Sequence, residues 1–258
     1  HDSCSNNYVV LILDKEDKIT DYSNDEVSVY SFDNERALLD RFLDFYQEIS
    51  PTILTGWNID GFDVPYLYRR LARVLGQEEA NRLSPIGHAY FHPFKKRIVI
   101  AGVSCLDYLA LYKNFTYSVE PSYRLDSIGR KEVGIGKIEY EGNLDDLFSS
   151  DIEKFIEYNL NDVKIVVEID KKMELIELTR SICHVGHVPY EDILFSSRYL
   201  EGALLTYLRR NNLVAPNKDP NGRDKFNEIK GDGSKKFSGA YVAAPVPGKY
   251  KWVFDLDL

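Results

Sequence analysis

An α/β domain is the fold class this chain predicts, and two observations predict it. Apolar strand-like runs alternate with amphipathic helical stretches from Tyr8 onward, an order that lays helices against a sheet. The 258 residues are 44% hydrophobic and 13% aromatic, enough apolar surface for a sizeable core.

Residues 8–13, YVVLIL, form a continuous apolar, β-branched run between polar neighbours, the pattern of a buried strand. Residues 34–48 place Leu38, Leu39, Phe42, Leu43 and Phe45 at helical spacing, and residues 51–57 read as the next strand, giving β-α-β order. A helix is predicted over 64–75, with Tyr66, Leu67, Leu71 and Leu75 along its apolar stripe. Residues 89–101 predict a two-stranded ribbon turning near His92-Pro93, and 103–112 continue as strand or helix. One long helix is predicted over 151–178, with Phe155, Ile156, Val163, Val166, Ile169 and Met173 among its apolar positions. Beyond Pro189 the pattern changes: an amphipathic helix over 193–210, a polar loop over 211–233 and a strand over 250–258. That change sets a domain boundary near 180–190.

A formal net charge of −9 excludes a surface that attracts phosphates everywhere, but it leaves room for a local basic groove. Lys95-Lys96-Arg97 and the stretch 223–236 are candidates for one, or are simply solvated surface. Cys4, Cys105 and Cys183 are odd in number and far apart, so a reducing, cytoplasmic compartment is expected rather than a disulfide framework. No apolar run of membrane-spanning length and no signal peptide are present, so no membrane association is expected. The chain opens without Met and both ends read as cut.

Three side chains carry the chemistry. Asp63 follows a predicted strand at the start of a helix, where active-site loops of α/β folds are built; a helix cap before Val64-Pro65 is the ordinary alternative. Tyr158 and Asp162 stand four apart on the long helix and share a face, with Glu157 turned away. Phosphodiester hydrolysis needs an activated water and neutralised oxygens, which two divalent ions roughly 3.5–4 Å apart provide. Hard ions of that kind take carboxylate oxygens.

At these residues the chain resembles the family B replicative DNA polymerases, in particular those of large tailed phages. The segment TGWNIDGFDVPY, 55–66, is similar to their second exonuclease motif, and YNLND, 158–162, to the third, Y-x-x-x-D. Between them LDYL and LYK (106–109 and 111–113), PSYRL (121–125) and GKIEYEG (136–142) continue the likeness, as do GAYV, PVP and YK at 239–242, 245–247 and 250–251. The likeness covers nearly the whole chain.

The resemblance implies a ribonuclease H-like α/β exonuclease domain, a mixed sheet flanked by helices, over 1–185 and lacking its first strand. A helical and loop connector over 186–248 and the truncated start of a polymerase palm over 249–258 would follow. It implies that Asp63 and Asp162 bind metal in a 3′→5′ proofreading exonuclease that uses two Mg²⁺ or Mn²⁺ ions per site, with Tyr158 orienting the attacking water. Lys137 would reach the phosphate region, although an exposed loop cation is the local alternative. Asn58 and Phe62 would border the 3′ end, and Gly239, Ala240 and Tyr241 would contact DNA.

An ungapped count from Gly239 places the palm's metal-binding aspartate at Asp257, with Asp255 two residues earlier on the same strand face. Asp14-Lys15-Glu16 matches the family's Asp-x-Glu on paper but sits on what resembles the second strand, so it is read as a decoy and the true motif as lying upstream. The fragment alone is therefore expected to hydrolyse DNA poorly. Later polymerase motifs are absent, so it is not expected to polymerise. Residues 134–137 fail as a phosphate-binding loop, because the glycines are too close together and no Ser or Thr follows the lysine. Cys183-His184-Val185-Gly186-His187 is too tight for a zinc site. The ribbon resembles a shortened exonuclease hairpin. Implied partners are primer–template DNA and single-stranded 3′ ends, with dNTPs and a sliding clamp for the parent protein. The rival readings are an inactive exonuclease-fold DNA-binding module and a free-standing exonuclease.

Overall fold

The computed structural model describes residues 1–215 and 247–252. Strand β1, Tyr8–Leu13, pairs in parallel with β3, Val27–Phe32, from Tyr8 opposite Val27 to Leu13 opposite Phe32. The short β2, Tyr22–Ser23, runs antiparallel on the other edge of β3, so the sheet is mixed. Helix α1, Glu35–Ile49, follows, and the Asn34 side chain caps it by accepting the Ala37 N–H. Strand β4, Ile53–Gly56, then leads to helix α2, Asp63–Val74, and the short α3, Gln77–Ala80. The ribbon forms as expected from β5, Ala89–His92, and β6, Arg97–Ile100, antiparallel with His92 opposite Arg97. Strand β7, Ser104–Asp107, pairs in parallel with β4 so that Gly56 faces Asp107. This register carries the chain on either side of the 58–63 loop towards Asp107.

Helices complete the unit: α4, Tyr108–Phe115; α5, Leu125–Val133; α6, Leu144–Ser150; α7, Ile152–Met173; α8, Leu175–Gly186; and α9, Ser196–Arg210. The single helix expected over 151–178 is in fact two. Glu174 adopts a left-handed conformation, φ 51°, and ends α7 with its N–H on the Asp170 carbonyl. The Asp170 carboxylate accepts from the Tyr108 hydroxyl at 3.0 Å and from the Ile176 N–H at 3.3 Å, which satisfies the start of α8. Buried Leu175 then turns α8 into the core. Tertiary contacts thus override a helical pattern that has no Gly or Pro to interrupt it.

Helix α7 joins two parts of the core. Ile152 and Ile156 pack with Tyr8, Ile12 and Val29 of the β1–β3 sheet, whereas Ile165 and Ile169, both 0% exposed, pack with Leu111, Tyr112 and Ile128. Truncating such isoleucines costs about 2–5 kcal/mol each, so the rotation of α7 about its axis is firmly set. Helix α5 lies against α7 at Gly129, where a Cβ would come within 2.5 Å of the Ile135 carbonyl oxygen and 2.7 Å of Ile165 Cγ2. Gly134, at φ 73°, then ends α5 in the left-handed region that glycine adopts without cost. The chain leaves α5 close to α7, and residue 137 comes shortly after.

The compact unit runs from His1 to Asn211, past the expected boundary at 185, because α9 packs on α8. A Cβ on Gly186 would meet the Tyr199 side chain at 2.6 Å. In the second unit, Asn212–Leu258, residues 212–215 and 247–252 are described and contain no helix or strand; Tyr250 and Trp252 lie in irregular chain. Gly239, Ala240, Tyr241, Asp255 and Asp257 lie outside the described residues.

Candidate active site

The face of α7 expected to carry Tyr158 and Asp162 does so, and the loop after α5 adds a cation to it. The Lys137 ammonium donates to the Tyr158 hydroxyl at 3.0 Å and to Asp162 Oδ2 at 2.5 Å, and it also lies 5.1 Å from the Tyr158 ring centroid. Lys137 is therefore not a free loop cation. Burial works against its charge, but the bonds from Asp162 and Tyr158 prevail and hold the ammonium above its usual range. Asp162 Oδ1 is buried and has no hydrogen-bond partner.

Two residues outside the sequence expectations fix this loop. Asp126 Oδ1 accepts the Lys137 backbone N–H at 2.7 Å and is also paired with Arg130. The Lys137 N–H, with Arg130 nearby, holds the Asp126 carboxyl below its usual range. Asn161, one residue before Asp162, donates through Nδ2 to the Gly136 carbonyl at 2.9 Å. Tyr140 packs edge-on against Tyr158, with ring centroids 5.3 Å apart. Their contacts to the 136–140 loop and α7 span 11 to 25 residues of sequence, so no local pattern announces them.

Asp63 is the first residue of α2; the preceding Phe62 is the cap, and no side-chain capping bond is made. The capping role that a sequence reading offers for Asp63 is thus not realised. Its carboxylate is exposed and accepts no hydrogen bond from another described residue. Desolvation raises its pKa, and the negative charge of Asp107 adds to the rise. The loop before it is tightly held. Asn58 is left-handed, φ 63°, and donates its N–H to Asp107 Oδ1 at 3.1 Å, while the Asp60 N–H reaches Asp107 Oδ2 at 3.4 Å. The Asp60 carboxylate pairs with Arg97 of the ribbon at 3.1 Å. Phe62 is 64% exposed and stacks on the equally exposed Tyr66, rings 6.1 Å apart and 11° from parallel. Such an aromatic surface suits a nucleobase.

Asp14 and Glu16 serve the turn in which they sit. Asp14, 6% exposed, accepts the Glu16 and Ile19 N–H groups at 3.2 and 2.7 Å, and Glu16 pairs with Lys18. Cys183 is buried, its thiol directed at the Pro189 carbonyl.

Asp63 and the Oδ1 of Asp162 are uncommitted carboxylate oxygens of the type hard divalent ions require. Among the described residues no group of three His, Cys, Asp or Glu side chains converges on a metal position.

The chain thus presents an acidic strand–helix loop and, on α7, a Tyr/Asp pair bonded to Lys137, and comparison with known proteins identifies its class. Residues 3–128 match the exonuclease domain of DNA polymerase family B, and this chain carries an exonuclease domain of that family. It is 33% identical over 242 residues to the DNA-directed DNA polymerase of Escherichia phage RB69, covering 91% of this chain and 25% of the relative. Against the DNA-directed DNA polymerase of Enterobacteria phage T4 the identity is 32% over 240 residues, 91% of this chain and 26% of the relative. DNA polymerase 1 of Sulfolobus acidocaldarius is 30% identical over 269 residues, 96% of this chain and 28% of the relative. The chain thus spans about a quarter of the length of these relatives. No described helix is long and apolar enough to cross a membrane.

Proposed function

We propose that this chain is the exonuclease-domain portion of a longer DNA polymerase, in which it removes nucleotides from single-stranded 3′ ends of DNA by phosphodiester hydrolysis. The observation that carries the reading is the hydrogen-bonded Lys137–Tyr158–Asp162 group, which holds a phenol, a cation and a carboxylate with a free oxygen side by side. Asp63 and Asp162 are the residues that would hold divalent ions, Mg²⁺ or Mn²⁺, which when bound neutralise phosphate charge and acidify water. Tyr158 orients the attacking water through its hydroxyl. Lys137 fixes that phenol and offers its positive charge to the phosphate. The exposed Phe62 stacks the terminal base, and Asn58 borders it.

In the longer protein the same reading extends to DNA-directed synthesis on a primer–template from dNTPs, with Asp257 at the palm's metal site, Gly239, Ala240 and Tyr241 on the DNA, and a sliding clamp as partner. Host cytoplasm is the setting this reading gives a phage enzyme.

The test is nucleotide release from a 3′-labelled single-stranded oligonucleotide by the full-length protein with Mg²⁺. Asp63→Ala and Asp162→Asn should each slow release at least about a hundredfold, as loss of a group that stabilises transition-state charge does. Release at the wild-type rate in both variants would leave only a DNA-binding module of this fold.

A further inference from the structure

We infer that Asp107 is a positioning residue for the site, one that sets the backbone of the loop presenting Asp63; the inference rests on the reading just given. Asp107 ends β7 and caps α4 in the ordinary way, with Oδ1 accepting the Leu109 N–H at 3.0 Å and the Ala110 N–H at 3.4 Å. A cap needs nothing more. The same carboxylate, however, also takes the Asn58 N–H on Oδ1 and the Asp60 N–H on Oδ2, at 3.1 and 3.4 Å, across 49 and 47 residues of sequence. Four backbone donors therefore converge on two oxygens that offer about four lone-pair sites. Three of the donors fall on Oδ1 and one on Oδ2, so one carboxylate spans the cap of α4 and the loop.

Its reach to the loop matters because of where the loop is strained. Asn58 sits at φ 63°, a conformation uncommon for a residue with a side chain. The bond from Asp107 to its N–H pins that residue. Two residues later the Asp60 N–H is pinned by the other oxygen, and the Asn58 carbonyl accepts the Gly61 and Phe62 N–H groups at 3.2 and 3.1 Å. The Ile59 carbonyl takes the Val64 N–H at 3.0 Å. Every link between Asp107 and the start of α2 is thus a named hydrogen bond, and Asp63 emerges at its end.

Serine in place of Asp107 separates the two roles. It is a good helix cap, but its one short oxygen cannot hold α4 and the loop together. In the 258-residue chain, amide hydrogen exchange of Asp107→Ser should quicken at least tenfold at Asn58 and Asp60 while Leu109 and Ala110 keep their protection. Asp107→Asn, which retains one acceptor oxygen, should fall between. Mn²⁺ binding, followed by its electron paramagnetic resonance signal, should weaken at least threefold in Asp107→Ser, and excision by the full-length protein should lose kcat more than KM. Wild-type exchange at Asn58 and Asp60 in Asp107→Ser would overturn the inference. So would unchanged Mn²⁺ affinity despite faster exchange, or equal loss of protection along α4, which would make Asp107 a cap alone. Should Asp63→Ala leave Mn²⁺ binding and excision intact, the proposed function fails, and amide exchange still judges the loop independently.

Discussion

The two regions that carry the proposed site are built in opposite ways. On α7 the groups bond one another: Lys137 bonds both Tyr158 and Oδ2 of Asp162, leaving only Oδ1 without a partner, and Asp126 and Asn161 clamp the loop that brings the lysine. At the 58–63 loop the support is carried by the backbone, through Asp107, and the side chains that would act, Asp63 and Phe62, are left exposed, Phe62 touching only the neighbouring exposed ring of Tyr66 among aromatic partners. A group that is satisfied within the fold contributes to stability as well as to chemistry. One that is held out towards solvent contributes chemistry alone. In this chain the groups that satisfy one another and those held out to solvent thus lie on separate elements.

The sharpest way to break that comparison is to remove one charge from each half and compare stabilities. Lys137→Met leaves the Asp162 carboxylate, 26% exposed, without its cation. Allowing for solvent around the pair, this should cost about 1–3 kcal/mol in urea unfolding. The double variant Lys137→Met, Asp162→Asn should recover part of it. Asp63→Ala should cost nothing, because Asp63 has no capping bond and suffers the charge of Asp107. Equal losses in the two single variants would dissolve the distinction.

A smaller effect is expected at the aromatic edge of the loop. Phe62→Ala should weaken binding of a single-stranded oligonucleotide by roughly 1 kcal/mol, about fivefold, the low end for a stacked base because Tyr66 remains. Its melting temperature should stay that of wild type, since a side chain 64% exposed buries little. A large drop in melting temperature with unchanged binding would place Phe62 among structural residues.

The smallest effect sharpens the other half. The Lys137 N–H holds the Asp126 carboxyl below its usual range, so its stabilising contribution is full above the unfolded pKa of about 3.9 and fades as pH falls through the lower folded value. Asp126→Asn should therefore melt about 1–2 °C below wild type at neutral pH, with the gap closing below about pH 4. A gap that persists undiminished in acid would assign the bond to something other than the carboxylate's charge.

Much of this was legible in sequence, and the legible parts are those governed by short spacing. The buried strand YVVLIL, the ribbon turning after His92, and Tyr158 with Asp162 on one face all follow from periods of two or about four residues. Asp14 and Glu16 are set aside because their strand resembles the family's second, and in the structure Asp14 accepts N–H groups of the local turn while Glu16 pairs with Lys18. What escaped depends on distant partners. Lys137 looked like either a loop cation or a functional one, and only the close approach of α5 to α7 at Gly129 decides between them. The break at Glu174 was hidden because Asp170, Tyr108 and Leu175 create it jointly. Asp107 was part of a recognised segment with no role attached, since its loop partners lie 47 and 49 residues earlier.

The ion pair between Arg97 and Asp60 has a mechanical meaning. Arg97 opens the second strand of the ribbon and Asp60 sits mid-loop, the pair only 19% and 24% exposed. A strut thus runs from the turn end of the ribbon into the segment that carries Asp63. The ribbon and the loop are thereby tied by a part-buried ion pair, so a displacement of one is resisted by the other.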